Sequence, residues 1–358
     1  MTVRLRPVLA SLPTYLPGRS SPGAIKLASN ENPYGPLPHV LERIAEAGAS
    51  SNRYPDNDST ELVYALAEKY GARPEQVALG CGSVSLCQQL VLASAGTGDE
   101  VLFAWRSFEA YPIVTLIGGA TAVQVPLHEQ THDLVAMAEA ITDRTRLIFV
   151  CNPNNPTGTA VPGHELVAFL DRVPADILVV LDEAYREFVT DDTVLDGLSL
   201  LDRYPNLIVL RTFSKAYGLA GMRVGYGIAA DPAVITAVRQ TQTPFTVTTV
   251  AQAAALASLE EVAEKQLADR VAEIVLERRR MLAELRGLGY QIPESQANFV
   301  WLPDGPAAEG AVDAMAFAAG CEERGLLVRA FAGSGVRITV STAAENDRLI
   351  SAARELRG

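Results

Sequence analysis

Between residues 77 and 229 the chain alternates short apolar runs with helical patterns. The runs are Val77–Gly80, Glu100–Ala104, Thr121–Pro126, Leu147–Cys151, Ile177–Asp182, Leu207–Arg211 and Val224–Ala229. Each is rich in Val, Ile and Leu and is bounded by turn residues, as strands buried on both faces are. Helical patterns lie between them, such as Val84–Ala93 after the first run and His164–Arg172 ahead of Ile177. This alternation predicts an α/β domain with a mostly parallel sheet of about seven strands.

After Pro244 the pattern changes. Val250–Leu259 and Glu264–Leu288 read as long helices. The second is amphipathic, with Leu267, Val271, Ile274 and Leu276 set among charges. Three short strands are expected at Asn298–Leu302, Leu326–Arg329 and Val336–Val340, with helices at Gly310–Arg324 and Ala343–Leu356. The expected organisation is an N-terminal arm (1–35) packing with a small α+β domain (246–358), and a large domain (36–245) between them.

Composition narrows the classes. A chain of 358 residues is long for one hydrophobic core and implies two domains. Its 48% apolar and 20% charged residues are those of a globular protein. A formal charge of −12 gives no reason to expect nucleic acid or an anionic membrane as partner. An anionic ligand must then be held by a few focused Arg or Lys groups. No apolar stretch approaches the roughly 20 residues of a membrane span. The opening MTVRLRPVLASLPTYLPG is broken by prolines, so a signal peptide is not expected. Cys81, Cys87, Cys151 and Cys321 fit neither a zinc site nor a C-x-x-C pair, and the expectation is reduced cysteines in a cytoplasmic protein.

In open α/β sheets, ligands bind outside the carboxyl ends of the strands. Four strand ends carry suggestive residues. Gly80-Cys81-Gly82-Ser83 opens a helix and suits a phosphate, although a plain strand–helix turn reads the same way. Asn152-Pro153-Asn154-Asn155-Pro156-Thr157-Gly158 reads first as a turn. Asp182-Glu183-Ala184-Tyr185 sets a carboxylate after an apolar strand, where it needs a positive partner. A metal would serve, but the chain supplies no cluster of His ligands; a protonated heterocyclic nitrogen would serve as well. Finally, Thr212, Ser214, Lys215 and Arg223 follow the sixth strand. With the Gly82-Ser83 loop they could form an anion site beside a reactive amine, which makes a Schiff base if nearby positive charge lowers its pKa.

The set Asn155-Pro-Thr-Gly, Asp182-x-x-Tyr185, Ser214-Lys215 and Arg223, spaced by about 27, 33 and 8 positions, resembles the fold-type-I aminotransferases. Further markers resemble the histidinol-phosphate aminotransferase branch. They are Asn30-Glu-Asn-Pro-Tyr-Gly-Pro36, Arg53-Tyr-Pro-Asp56, the SKAYGLAGMRVGY stretch from Ser214, Ala297-Asn-Phe-Val300 and Val336-Arg-Ile-Thr339. The resemblance covers essentially the whole chain. It implies that Lys215 carries pyridoxal 5′-phosphate and shuttles a proton, while Asp182 pairs with the pyridine nitrogen and Asn155 and Tyr185 bond the phenolic oxygen. Gly82, Ser83, Thr212, Ser214 and Arg223 would hold the phosphate. Phe108 would stack on the ring, with Trp105 as rival. Arg337 would take the substrate carboxylate, and Arg329 and Tyr15 its far end, with Asn32 and Asn298 in the same pocket. Tyr54 would reach the cofactor phosphate of a partner subunit, so the resemblance implies a homodimer with shared sites.

One departure bears on substrate. Many histidinol-phosphate enzymes continue the phosphate loop as Gly-Ser-Asp/Asn-Glu, whereas this chain reads Gly82-Ser83-Val84-Ser85-Leu86. That version, with Phe108, resembles the aromatic amino-acid aminotransferases of the branch. The expected reaction moves an amino group between an aromatic amino acid and a 2-oxo acid such as 2-oxoglutarate; histidinol phosphate is the alternative substrate. Decarboxylases and lyases of this fold would also keep Lys215 and Asp182. A nucleotide-binding oxidoreductase would need G-x-G-x-x-G, and Gly80-Cys81-Gly82-Ser83-Val84-Ser85 lacks the third glycine.

Overall fold

The computed structural model describes residues 3–4, 6–7, 12, 18 and 21–357. Its first strand, β1 (Ile25–Leu27), is followed by α1 (Pro38–Gly48) and α2 (Thr60–Tyr70). A seven-stranded sheet is then built from β2 (Val77–Gly80), β3 (Glu100–Trp105), β4 (Thr121–Pro126), β5 (Thr145–Cys151), β6 (Leu178–Asp182), β7 (Leu207–Thr212) and β8 (Gly225–Ala229). Between these strands lie α3 (Ser83–Ser94), α4 (Ala110–Gly118), α5 (Leu134–Glu139) and α6 (Gly163–Leu170). The spatial order is β2-β8-β7-β6-β5-β3-β4. The five strands from β4 to β7 run parallel, and β8 is antiparallel to both of its neighbours.

The reversal at β8 has a local cause. Parallel neighbours need a crossover, usually through a helix. Residues 213–224, which join β7 to β8, hold only a single 3-10 turn at Ala220–Met222. The chain therefore doubles back, and Lys215 and Arg223 stay at the edge where β6 and β7 end.

Strand alternation explains the layers. Along β5, Leu147, Phe149 and Cys151 face one core with α3, α4 and α7 (Pro232–Thr241), while Ile148 and Val150 face the other with α5 and α6. Both faces of the sheet are covered, hence the near-continuous apolar runs. Two further helices, α8 (Thr249–Ser258) and α9 (Glu261–Gly287), lead to β9 (Phe299–Pro303), α10 (Ala314–Glu323), β10 (Leu326–Phe331), β11 (Gly335–Thr339) and α11 (Ala343–Arg357). The second sheet has the order β1-β10-β11-β9. The sequence reading gave it three strands; the fourth is β1, which pairs in parallel with β10, Ile25 opposite Leu326. Three residues are too few for periodicity to reveal. Among the described residues, no helix is long and apolar enough to cross a membrane.

Candidate active site

The carboxyl ends of β5, β6 and β7, the start of α3 and the β10–β11 pair surround a cavity of about 550 Å³. Of the residues expected from the sequence, Ser83, Phe108, Asn155, Asp182, Tyr185, Thr212, Ser214, Lys215, Arg223, Arg329 and Arg337 all line it.

Asp182 is the last residue of β6 and is buried. The Tyr111 hydroxyl donates to its Oδ2 at 2.8 Å, and the Ala184 amide to its Oδ1 at 3.2 Å. Burial pushes this carboxyl above the usual carboxylate range, against the opposing pull of those donors and of Lys215. Among the described residues, no group of three or more His, Cys, Asp or Glu is placed to hold a metal ion.

Lys215 Nζ donates to the Ser29 carbonyl at 3.1 Å. Burial, then the positive charge of Arg337 and Arg223, lowers its pKa to about 7. Much of this amine is therefore neutral, and nucleophilic, near neutral pH.

The residues expected at a phosphate gather at the start of α3. That helix has no side-chain cap, so its first N–H groups are left for a ligand. Gly82 has φ +75°, and a Cβ there would come within 2.5 Å of Arg223 Nη2. Glycine is thus what lets the guanidinium approach the loop. A Cβ on Gly225 would lie 2.5 Å from the Ser83 amide nitrogen, again leaving room only for glycine. Arg223 donates to the carbonyls of Ala220 (3.2 Å) and Cys81 (3.4 Å). The Thr212 hydroxyl donates to Ser214 Oγ at 3.0 Å.

The turn reading of residues 152–158 was incomplete. Buried Asn154 accepts a hydrogen bond from Ser107 Oγ (2.8 Å) and donates to Thr157 Oγ1 (2.8 Å). This fixes the loop that presents Asn155. Asn155 Oδ1 accepts from Arg337 Nη1, and the Tyr185 hydroxyl accepts from Asn30 Nδ2 at 2.9 Å. Phe108 lines the cavity, edge-on to Tyr111 with centroids 5.5 Å apart; Trp105 packs instead on Phe103, with Arg106 over its ring.

At the other end, Arg337 donates to the Ala28 carbonyl at 2.8 Å, and Arg329 donates to Glu109 Oε2 at 3.0 Å. Several expected residues lie off the cavity wall. Gly82 stands behind Arg223. Asn32 donates to the Ala216 carbonyl at 2.8 Å, so it pins the chain one residue beyond Lys215 instead of facing a ligand. Asn298 donates to the Asn30 carbonyl at 3.1 Å. Tyr54 is 83% exposed and stacks on Phe245 at 4.5 Å, outside the cavity of its own chain. Tyr15 lies outside the described residues. The sequence points to no role for Tyr111 or Glu109, and it marks Asn30 only as part of a motif. Glu109 directly follows Phe108 and Tyr111 lies three positions on, but which way each side chain faces is decided by packing.

Residues 22–352 match the family described as aminotransferase class I and II. The chain is 56% identical over 352 residues to the aromatic amino acid aminotransferase of Rhodococcus jostii, covering 98% of this chain and 95% of that one. It is 55% identical over 359 residues to the aromatic amino acid aminotransferase of Streptomyces coelicolor, covering 99% and 98%. Among solved structures, the histidinol-phosphate aminotransferase from Sinorhizobium meliloti in complex with pyridoxal-5′-phosphate is similar with a TM-score of 0.89 and 30% identity, over 100% of this chain and 98% of that one. With the site assembled on a fold-type-I α/β architecture and the match running through nearly all of it, the chain belongs to the class I and II aminotransferases.

Proposed function

We propose that the protein moves an amino group between an aromatic amino acid (phenylalanine, tyrosine or tryptophan) and a 2-oxo acid such as 2-oxoglutarate, using pyridoxal 5′-phosphate. The observation that carries this reading is the apolar wall of the cavity. Val84, Phe108, Ile113 and Ile117 line it, beside Arg337. A ring gains from apolar walls, whereas an imidazole needs polar partners that would stay satisfied in the free enzyme. The names of the relatives at 55–56% identity support the same substrate class.

The residues fit the cofactor. An uncapped helix start, Ser83, Thr212, Ser214 and Arg223 suit its phosphate. Buried Asp182 lacks a cation at hydrogen-bond distance among the described residues, and a protonated ring nitrogen is the partner its burial calls for. When bound, the cofactor supplies an electron sink for the pair left on the substrate Cα. Lys215 would hold it through Nζ, and its free amine would carry the proton that leaves the substrate Cα. Asp182 keeps the ring nitrogen protonated. Asn155 and Tyr185 would hold the phenolic oxygen, and Phe108 would cover the ring. Arg337 binds the substrate carboxylate as a bidentate fork. Tyr54 serves the phosphate of a partner subunit, which makes the working unit a homodimer in the cytoplasm.

The test compares kcat/KM for phenylpyruvate, with glutamate as donor, against histidinol phosphate with 2-oxoglutarate. The aromatic acid should be preferred. A preference for histidinol phosphate of about tenfold or more, roughly 1.4 kcal/mol in transition-state binding, overturns the reading.

A further inference from the structure

The substrate end of the cavity carries more positive charge than one carboxylate requires. Arg329 and Arg337 are opposite each other in the β10–β11 register, so their side chains leave the same face side by side. Like charges placed so repel. With Arg106 they crowd a single ring: the three guanidinium carbons lie 5.4, 5.7 and 5.3 Å from the Phe331 centroid. Among the described residues, three carboxylates line the cavity. Asp182 is at the far end, bonded to Tyr111, and Glu31 is paired with Lys26 at 3.0 Å. Glu109 is the one that faces the arginines, and it accepts from Arg329.

The position of Glu109 is informative. It is the N-cap residue of α4, yet its side chain does not cap that helix. The carboxylate is turned to Arg329 instead. Glu109, Ile113 and Ile117 follow at intervals of four, so they share one face, and all three line the cavity. One helix face therefore supplies both the apolar wall and, at its end, the counter-ion.

We propose that Glu109 determines specificity by acting as an internal stand-in for a second acidic group on the substrate. A substrate ending in an aromatic ring leaves the Glu109–Arg329 pair closed and packs along Ile113 and Ile117. A dicarboxylate such as glutamate or 2-oxoglutarate reaches Arg329 only by displacing the Glu109 carboxylate, which also repels it. Discrimination of this kind uses a repulsive element as well as an attractive one. The inference deepens the aromatic reading and rests on it.

The experiment is Glu109→Gln in the holoenzyme, reading the ratio of kcat/KM for 2-oxoglutarate to kcat/KM for phenylpyruvate. In a ping-pong reaction each value reports its own half-reaction, so the choice of donor drops out. The ratio should rise about tenfold, while Glu109→Asp, which keeps the charge, should stay within about threefold of wild type. A ratio that is unchanged or lowered in Glu109→Gln, or raised equally in Glu109→Asp, overturns the proposal. If the wild type turns over no aromatic substrate, the aromatic reading falls. The Glu109 role is then still decided by whether the glutamate half-reaction, followed by cofactor absorbance, gains about tenfold in Glu109→Gln over wild type and Glu109→Asp.

Discussion

The Lys215 end of the cavity and the arginine end are built on different sheets and hold charge in different ways. Asp182 and Thr212 close two adjacent parallel strands, β6 and β7, in the middle of a sheet covered on both faces. Their polar groups have fixed partners: Tyr111 for Asp182, Ser214 for Thr212. Arg329 and Arg337 stand on an antiparallel pair in the smaller sheet, where three guanidiniums crowd one phenyl ring and Arg329 pairs with Glu109. A group that must move a proton gains from an environment that cannot relax, since its position and pKa are then set before the substrate arrives. A group that must tell ligands apart gains from a charge balance that the ligand itself can tip.

This contrast predicts which kinetic constant each substitution changes. The largest effect is expected from Lys215→Ala. It should lower kcat for every substrate pair by at least about 10³-fold, because the proton carrier is gone. Borohydride reduction of the wild type should fix the cofactor to the Lys215 peptide, and labelling of another lysine would refute the assignment. Mixed with an inactive Tyr54 variant, the Lys215→Ala chain should regain activity in hybrid dimers. No recovery, under conditions where wild type refolds, removes Tyr54 from the shared site. Asp182→Asn comes next. A neutral amide cannot hold the ring nitrogen protonated, and the loss should be about a hundredfold or more, roughly 2.7 kcal/mol of barrier. Activity within about threefold of wild type sinks the pairing. Arg337→Lys should act more mildly and mainly on KM. Lysine keeps the charge but loses the bidentate fork, at a cost of about tenfold in kcat/KM for every substrate bearing an α-carboxylate. A fall in kcat with KM unchanged would place Arg337 in the chemical step and blur the contrast between the two ends.

How far the site was legible follows the same division. All seven strands of the large sheet were visible as apolar runs; six of them are buried on both faces, whereas at the sheet edge β4 buries only Val125. Strand ends then pointed to Asp182, Lys215 and Arg223 by topology alone. Roles were another matter: a buried carboxylate left two possible partners open, and the resemblance chose between them. Tyr111 was not legible, because a tyrosine in an apolar helix reads as core, and much of it is core, stacked on Phe149 with centroids 4.3 Å apart. The Glu109–Arg329 pair joins residues 220 positions apart, beyond the reach of any local pattern. Asn32 was expected in the pocket from its motif, yet its side chain bonds the backbone beside Lys215. A motif marks the segment without saying which way each side chain turns.

Asn30, three residues beyond the first strand, ties the two ends together. Asn30 donates from its amide to Thr339 Oγ1 and from its side chain to the Tyr185 hydroxyl, each at 2.9 Å. The first of these bonds spans 309 positions of sequence. During synthesis β1 has no strand to pair with until β10 has left the ribosome, and Asn30 no Thr339 until β11 has followed. The large sheet, complete by Ala229, has all its strands long before then. The strand ends that carry Asp182 and Thr212 can thus be laid down early in the life of the chain, while the arginine end of the cavity is closed only by its last-made strands. Contacts so remote in sequence are the slow step in assembling a fold.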